Sequence, residues 1–264
     1  MKDLWQRVAV AFVGIPVALA AVWVGPPVLA VLLSLVGAVC WFELTAIFEE
    51  AQARPDHYLA LAAVAFAPPV LWWQGVDGIL LWVIFVLVGA MLWRLLTFGE
   101  SSISGVGATV FGSLYIGLGF SSALAIRLFV GGRWFLLSLL ILIWVSDTSA
   151  FAIGKALGKT RLAPKISPGK TWEGALGSLV VVVAVAVFLP GAGDFRGIFK
   201  VLFALVVWLA ALVGDLFESS LKREAGLKDS GSLLPGHGGL LDRLDSLLLA
   251  APAAYGFLLL IGLR

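Results

Sequence analysis

Long apolar runs, separated by short polar stretches, follow one another along the whole chain. A transmembrane helix needs about 20 mostly apolar residues, and this pattern predicts an all-α, polytopic integral membrane protein with about nine such helices. One run is short and contains Pro68 and Pro69, so a re-entrant segment there would reduce the number to eight. The predicted spans are residues 8–24, 28–48, 58–73, 78–98, 105–130, 134–154, 172–189, 198–218 and 241–263.

Composition supports a membrane protein and excludes several other classes. Hydrophobic residues make up 61% of the 264 residues and charged residues 13%, whereas soluble domains carry about 45–50% and about 25%. The net charge of +2 is too small for a basic nucleic-acid surface, so no nucleic-acid partner is predicted. Cys40 is the single cysteine, which rules out a disulfide within the chain.

The distribution of Lys and Arg predicts an orientation. With nine spans and a cytoplasmic N-terminus, 13 of the 18 basic residues fall on the cytoplasmic side and five on the other, as the positive-inside rule requires. The first run is longer than the roughly 7–15 apolar residues of a signal peptide, so it is interpreted as a retained helix. Two long polar loops, 155–171 and 219–240, then face the cytoplasm.

Polar side chains at the end of the eighth span form one stripe. Asp215, Glu218, Ser219 and Lys222 follow one another at i, i+3, i+4 and i+7, so they lie on one face of a helix. Ionisable groups in a membrane segment are costly and indicate function. The alternative is a salt-bridged helix end that joins Glu218 to Lys222.

A second pair of carboxylates begins the ninth span. Asp242 and Asp245 are three residues apart and face one way on the first helical turn. Mg²⁺ is commonly held by one or two carboxylates together with substrate phosphates, so helix ends carrying Asp215 and Asp242 could meet around such an ion. Acidic residues are also frequent at helix N-termini for capping alone, which remains the alternative.

Both polar loops carry residue types that suit phosphate. Gly236, Gly238 and Gly239 allow close backbone approach to an anion before a helix N-terminus, and His237 either contacts phosphate or is structural. In the other loop, five basic residues precede Glu173. There the compact piece containing Ser167, Lys170 and Thr171 is the candidate phosphate site, although positive-inside topology explains part of the charge.

Two further acidic residues lie within predicted spans. Asp147 is predicted to be buried in the sixth span, where it needs a partner or a function. Glu43 lies late in the second span, and we expect its carboxylate to reach the nearby interface rather than the site.

The polar stretch from Ser219 to Asp245 closely resembles the signature of the phosphatidate cytidylyltransferase family, also called CDP-diglyceride synthases. About fifteen constrained positions match over 27 residues. Further similarity lies at 146–148, 165–174 and 214–219, while residues before about 140 match only in being hydrophobic. The matching positions run Ser219-x-Leu221-Lys222-Arg223, Lys228-Asp229-x-Gly231, Leu234-Pro235-x-His237-Gly238-Gly239-Leu240-x-Asp242-Arg243-Leu244-Asp245.

This resemblance implies that the chain transfers the cytidylyl group of CTP to phosphatidic acid. It implies Mg²⁺ as cofactor, with room for a second monovalent or divalent cation, and a homodimer in the bacterial inner membrane with a cytoplasmic active site. Residues 1–130 would form the lipid-facing scaffold, with dimer contacts, and 131–264 the catalytic region. The implied catalytic residues are Asp215, Asp242, Lys222, Arg223 and Asp245. The implied metal ligands are Asp215, Asp242, Glu218 and Asp245. The implied substrate-binding residues are Ser167, Lys170, Thr171, Lys228, Asp229, His237, Gly238, Gly239, Arg243 and Asp147.

Two other functions use similar residue types. A CTP-dependent polyprenol kinase would share the metal and phosphate chemistry but transfer the γ-phosphoryl group. An ion-coupled transporter could use Asp147, Asp215 and Asp242 as cation ligands. Transporters are commonly built from repeated halves with broken helices, and no internal repeat is evident in this sequence.

Overall fold

The computed structural model describes residues 2–98, 102–189, 197–231 and 238–263, with side chains from residue 12 onward except that of residue 13. The described chain is almost entirely helical. A two-stranded antiparallel hairpin lies between the fifth and sixth helices, with Arg161 opposite Thr171 and Ala163 opposite Ser167. The elements are α1 Lys2–Val24, α2 Pro26–Glu50, α3 His57–Leu96, α4 Ile103–Leu128, α5 Gly132–Leu157, β1 Arg161–Ala163, β2 Ser167–Thr171, α6 Trp172–Phe188, α7 Ile198–Glu224 and α8 Leu241–Leu260.

The chain divides into two compact units. The first contains residues 1–125 and 221–244, and the second contains residues 126–220 and 245–264. The stretch 221–244, which carries most of the resemblance motif, therefore belongs with the N-terminal helices. The predicted functional division at residue 130 concerns roles rather than packing and stays a prediction.

In the first unit, α2 packs against α1 and α3. Close helix packing depends on small residues: a Cβ at Gly37 would lie 2.9 Å from Val64, and one at Gly112 would lie 2.5 Å from Trp41. The aromatic ring of Trp41 is fully buried. Small-residue contacts of this kind are typical of helices that associate in a bilayer, where packing replaces the hydrophobic driving force.

Helix α3 is broken in the middle. Gly75 has φ 66° and ψ −151°, a conformation that favours glycine, and the two halves fold back on each other. Trp82 Nε1 donates a hydrogen bond to the Ala63 carbonyl at 2.7 Å. The predicted spans 58–73 and 78–98 are thus two packed helical segments on either side of Gly75.

In the second unit, α5 packs closely against α6. A Cβ at Gly174 would lie 2.7 Å from the Ala150 carbonyl oxygen and 3.1 Å from the Gly154 Cα. Thr171 ends the hairpin and caps α6, because its Oγ1 accepts a hydrogen bond from Gly174 N at 3.1 Å. Such caps satisfy backbone N–H groups that the first helical turn leaves without partners.

The structure corrects the extent of both predicted polar loops. The 155–171 segment begins inside α5 and continues as the β1–β2 hairpin, and α7 extends to Glu224, well into the 219–240 segment. Gly226, with φ 72°, ends α7: Gly226 N donates to the Arg223 carbonyl and Leu227 N to the Lys222 carbonyl. This is the Schellman arrangement that glycine commonly permits after a helix.

The helical, polytopic membrane character is confirmed. Within the described residues, six helices are long and apolar enough to cross a membrane, and Gly14–Val24 and Trp172–Phe188 are shorter apolar helices. Each predicted span coincides with a helix or with one half of α3. The count of nine crossings and the cytoplasmic N-terminus stay predictions.

Candidate active site

A cluster of four carboxylates occupies the second unit. Asp147 lies on α5, Asp215 and Glu218 on α7, and Asp245 on α8. Asp245 interacts electrostatically with each of the other three. Glu218 is fully buried and Asp245 is 8% exposed. Like charges held close together, two of them buried, require cations or protons for compensation, so this carboxylate cluster is suited to positively charged groups.

Close packing of α7 against α8 in this unit brings the cluster together. A Cβ at Gly214 would lie 2.7 Å from the Asp245 carbonyl oxygen and 3.3 Å from Ser246 Cα. Glycine at this position lets the two helix backbones approach, which brings Asp215 near Asp245. A larger residue would force the two acidic positions apart.

Lys170 supplies one cation to the carboxylate cluster. Its Nζ donates to Asp215 Oδ2 at 2.5 Å, and the two side chains are 24% and 27% exposed. Ser219 Oγ lies 3.4 Å from the other oxygen, Asp215 Oδ1. Strand β2 carries Lys170, and the hairpin is held to α6 because Glu173 accepts hydrogen bonds from Lys159 N and Thr160 N, each at 3.1 Å.

A second ion pair lies in the first unit. Lys222 Nζ donates to Asp242 Oδ1 at 2.5 Å, and both side chains are 9% exposed. Asp242 Oδ2 also accepts hydrogen bonds from Gly239 N at 2.8 Å and Ser230 N at 3.0 Å. One carboxylate therefore joins the end of α7, the connecting segment and the start of α8. We call the residues Lys222, Ser230, Gly239 and Asp242 the loop anchor.

Glycines in the α7–α8 connection are required by the loop anchor. Gly238 has φ 78°, and a Cβ there would lie 2.7 Å from Asp242 Oδ2. At Gly239 a Cβ would collide with Ser230 Oγ. The sequence predicts that these glycines allow the backbone to approach phosphate. Here they allow the backbone to approach the carboxylate of Asp242, and a role toward phosphate stays a prediction.

Comparison with known proteins identifies the family. The profile of the cytidylyltransferase family matches residues 5–261. The chain belongs to the cytidylyltransferase family. A Bacillus subtilis relative is 33% identical over 98% of this chain and 99% of its own length. A relative from Brucella abortus biovar 1 is 34% identical over 97% and 94%, respectively.

The similarity is higher over a shorter region in another member of the cytidylyltransferase family. A Haemophilus influenzae protein is 46% identical over 129 residues, which cover 46% of this chain and 44% of that protein. All three relatives are named phosphatidate cytidylyltransferase. The resemblance inferred from the motif between Ser219 and Asp245 is thereby confirmed.

The other predicted site residues of this cytidylyltransferase family member are placed as follows. Thr171 is buried as the cap of α6, while Arg223 donates through Nη1 to the Leu227 carbonyl at 2.9 Å. Ser167 is half-buried, and Lys228, Asp229 and Arg243 are exposed. His237 and Gly236 lie outside the described residues. The substrate contacts assigned to all of these stay predictions.

Two predictions about acidic residues are wrong. Asp147 lies in α5 as expected, but its side chain is exposed rather than buried. Glu43 is 8% exposed, so its carboxylate is enclosed by the protein and not exposed at its surface. It instead accepts hydrogen bonds from the α7–α8 connection. A carboxylate inside the apolar run 28–48 was the available signal, since acidic groups in membrane segments mark function by default.

The carboxylate cluster fits a hard cation in its donor chemistry. Oxygen ligands from Asp and Glu are those preferred by Mg²⁺. In the described parts of the chain, however, no three acidic, His or Cys side chains converge closely enough to form a complete ion-holding group.

Proposed function

We propose that this chain transfers the cytidylyl group of CTP to phosphatidic acid, giving CDP-diacylglycerol and pyrophosphate. The observation that carries the proposal is the match to phosphatidate cytidylyltransferases over nearly the whole chain, up to 98% of its residues. The two Lys–Asp pairs support it, because they are the residue types that the reaction of two polyanions needs.

The reaction is a nucleophilic displacement at phosphorus. A phosphate oxygen of phosphatidic acid forms a bond to the α-phosphorus of CTP, and the bond between that phosphorus and the α–β bridging oxygen breaks. The electron pair leaves with pyrophosphate. Because the lipid phosphate is already ionised near neutral pH, no strong general base is needed. Positioning and charge stabilisation therefore supply most of the rate enhancement.

Basic side chains would counter the charge of both substrates. Lys222, Arg223 and Lys228 are proposed to neutralise the triphosphate, and Lys170 with Ser167 to hold the lipid phosphate or the nucleotide. Both lysines already pair with carboxylates. The more exposed Lys170 would exchange Asp215 for a substrate phosphate, whereas the buried Lys222 would contribute its charge while it stays paired with Asp242. Pre-positioned cations of this kind cost little reorganisation in the transition state.

Carboxylates of the same regions would hold the cofactor. Asp215, Glu218, Asp245 and Asp242 are the proposed Mg²⁺ ligands, with a second cation compatible with the same oxygen donors. When bound, Mg²⁺ would offset the negative charge of the triphosphate and of the departing pyrophosphate. The protein's own contribution is to hold Asp215 in place through Lys170, and Asp242 through Lys222 and two backbone N–H groups.

We further propose that the enzyme works in the bacterial inner membrane as a homodimer, with its active site at the cytoplasmic face. The excess of Lys and Arg in the loops predicted to be cytoplasmic supports this orientation. CTP is a cytoplasmic metabolite and phosphatidic acid a membrane lipid, so a site at that boundary would be reached by both.

The experiment that tests the proposed function follows the label from CTP into lipid. Purified protein in detergent micelles receives phosphatidic acid, Mg²⁺ and CTP labelled on either the α- or the γ-phosphate. We expect the α-label to enter lipid, the γ-label to remain water-soluble, and chelation of Mg²⁺ to abolish the transfer. Diacylglycerol in place of phosphatidic acid is the matched control and should yield no labelled lipid.

Two results would contradict the proposal. Transfer of the γ-label to a lipid alcohol would identify a CTP-dependent kinase. Absence of labelled lipid with either label, from folded protein that binds CTP, would reject cytidylyl transfer altogether.

A further inference from the structure

We infer that Glu43, a carboxylate of the second helix, is a positioning residue that holds the α7–α8 connection and with it Asp242. The inference rests on the proposed function for its meaning in catalysis. Its structural basis is independent of that function and lies entirely within the first compact unit.

Three hydrogen bonds converge on the Glu43 carboxylate. Leu240 N donates to Oε1 at 2.9 Å, Leu241 N donates to Oε2 at 2.7 Å, and Ser230 Oγ lies 3.3 Å from Oε2. These partners lie 187 to 198 residues away along the chain. Glu43 is only 8% exposed and Ser230 only 3%. A buried carboxylate with several donors is a strong and directional contact, because hydrogen bonds to charged groups are about twice as strong as neutral ones.

The contact satisfies the N-terminus of α8. Leu241 is the first residue of that helix, and the first N–H groups of a helix have no partner within it. The Glu43 carboxylate supplies that partner from a different helix, and its negative charge interacts favourably with the positive end of the helix dipole. It therefore takes the place that a local capping side chain usually occupies.

Glu43 and Asp242 both accept hydrogen bonds from the α7–α8 connection. Ser230 donates its backbone N–H to Asp242 and directs its hydroxyl to Glu43, while Gly239 N bonds Asp242 and the next two N–H groups bond Glu43. Glycines make room for this: a Cβ would lie 2.6 Å from Glu43 Oε2 at position 239 and 3.1 Å from Glu43 Oε1 at position 231. Removal of the Glu43 charge should loosen the segment that holds Asp242 in place.

Glu43→Gln is the decisive variant. The amide keeps one acceptor oxygen but turns a donor group toward a backbone N–H, so at least one hydrogen bond to Leu240 or Leu241 must be lost. We expect kcat/KM for CTP to fall by about 100-fold, the size of effect that small misplacements of catalytic groups produce. We expect the KM for phosphatidic acid to change little, since Glu43 contacts the connection rather than the region of Lys170.

A second readout does not depend on activity. Hydrogen–deuterium exchange of peptides covering residues 238–245, measured on the full chain in micelles, should be faster in Glu43→Gln because the Leu240 and Leu241 amides lose their acceptor. Glu50→Gln, an exposed carboxylate at the end of the same helix, is the matched control and should match the parent in both measurements. Ser230→Ala, which removes only the hydroxyl contact, should give an intermediate loss and keeps the test open if Glu43→Gln does not fold.

Each outcome decides the matter. Faster exchange at 238–245 together with reduced kcat/KM for CTP supports the inference. Parent-like kcat/KM in folded Glu43→Gln overturns it, as does an equal loss in Glu50→Gln. If the parent protein produces no CDP-diacylglycerol, the proposed function has failed, and unchanged exchange in the variant would separately reject the positioning of the connection by Glu43.

Discussion

Two Lys–Asp pairs of equal length lie in different surroundings. Lys222–Asp242 and Lys170–Asp215 both have an N–O distance of 2.5 Å, but the first pair is 9% exposed on each side chain and the second 24% and 27%. Asp242 accepts two further backbone N–H groups, whereas the second oxygen of Asp215 has Ser219 Oγ at 3.4 Å. An ionised carboxylate has about four acceptor sites, so Asp215 retains more capacity for a new ligand.

The same type of ion pair, Lys with Asp, can therefore have two different roles in one protein. A buried pair that also binds backbone groups fixes a segment, and loss of one partner leaves an uncompensated charge. A pair with about a quarter of each side chain exposed contributes less to stability and can exchange its partner when substrate arrives. We therefore expect the loop anchor to be needed for both structure and activity, and the Lys170–Asp215 pair for activity alone.

The largest effect is expected from Asp242→Asn. It removes a proposed Mg²⁺ ligand and the charge that Lys222 faces, so activity should fall by about 100- to 1000-fold, as when a transition-state contact is deleted. Transfer of α-label from CTP into lipid measures it. Asp77→Asn, which changes an exposed carboxylate on α3, is the control and should keep parent activity. More than a tenth of parent activity in Asp242→Asn would contradict the role assigned to Asp242.

The contributions of the two ion pairs to stability can be distinguished by replacing each lysine in turn. Lys222→Met leaves the carboxylate of Asp242 nearly buried without its cation, which should lower the free energy of unfolding by about 3–5 kcal/mol. Lys170→Met should lower it less, by about 1 kcal/mol, because about a quarter of each side chain of the Lys170–Asp215 pair is exposed, which screens the interaction. Denaturant unfolding in micelles measures both.

The difference between the two lysine variants is the critical result. Equal destabilisation would show that burial does not distinguish the pairs. We also expect 1 M salt to weaken the effect of Lys170→Met more than that of Lys222→Met, because exposed charges are screened more strongly.

The glycines near each pair give another test of how tightly its surroundings are packed. Gly238→Ala places a side chain at φ 78° and 2.7 Å from Asp242 Oδ2, whereas a Cβ at Gly169, next to Lys170, would have no neighbour within 4 Å. The first substitution should lower the free energy of unfolding by at least about 1–2 kcal/mol, the cost of the left-handed conformation. Gly169→Ala should stay within about 0.5 kcal/mol of the parent. A neutral Gly238→Ala would mean that the connection adapts freely around Asp242.

The local pattern was enough to predict much of the molecule. Helical periodicity correctly placed Asp215, Glu218, Ser219 and Lys222 on one helix, and the apolar runs located each helical segment. The break at Gly75 illustrates the limit. The short apolar run with Pro68 and Pro69 suggested a re-entrant segment, but whether the two halves of α3 pack on each other depends on contacts such as that of Trp82 with Ala63.

The partners of each acidic residue were beyond the sequence. The sequence offered Glu218, one turn away, as a partner for Lys222, but gave no sign of the hydrogen bond from Lys222 to Asp242, 20 residues on. Glu43 was misjudged because its three partners lie almost 200 residues along the chain, and hydropathy carries no information about such pairings. Helix positions follow from local periodicity, while the partners of a buried charge follow from tertiary packing.

The smallest effect is expected from Ser219→Ala. Its hydroxyl lies 3.4 Å from Asp215 Oδ1, beyond the usual 2.5–3.0 Å of a hydroxyl hydrogen bond, so the free energy of unfolding should change by less than about 0.5 kcal/mol. Calorimetric titration with CTP and Mg²⁺, compared with the parent and with Lys170→Met, measures whether ligand binding changes. An effect as large as that of Lys170→Met would mean that Ser219 orients Asp215 as the backbone groups orient Asp242. Both carboxylates would then be fixed by their surroundings. The Lys170–Asp215 pair would no longer differ from the Lys222–Asp242 pair in its capacity to accept a new ligand.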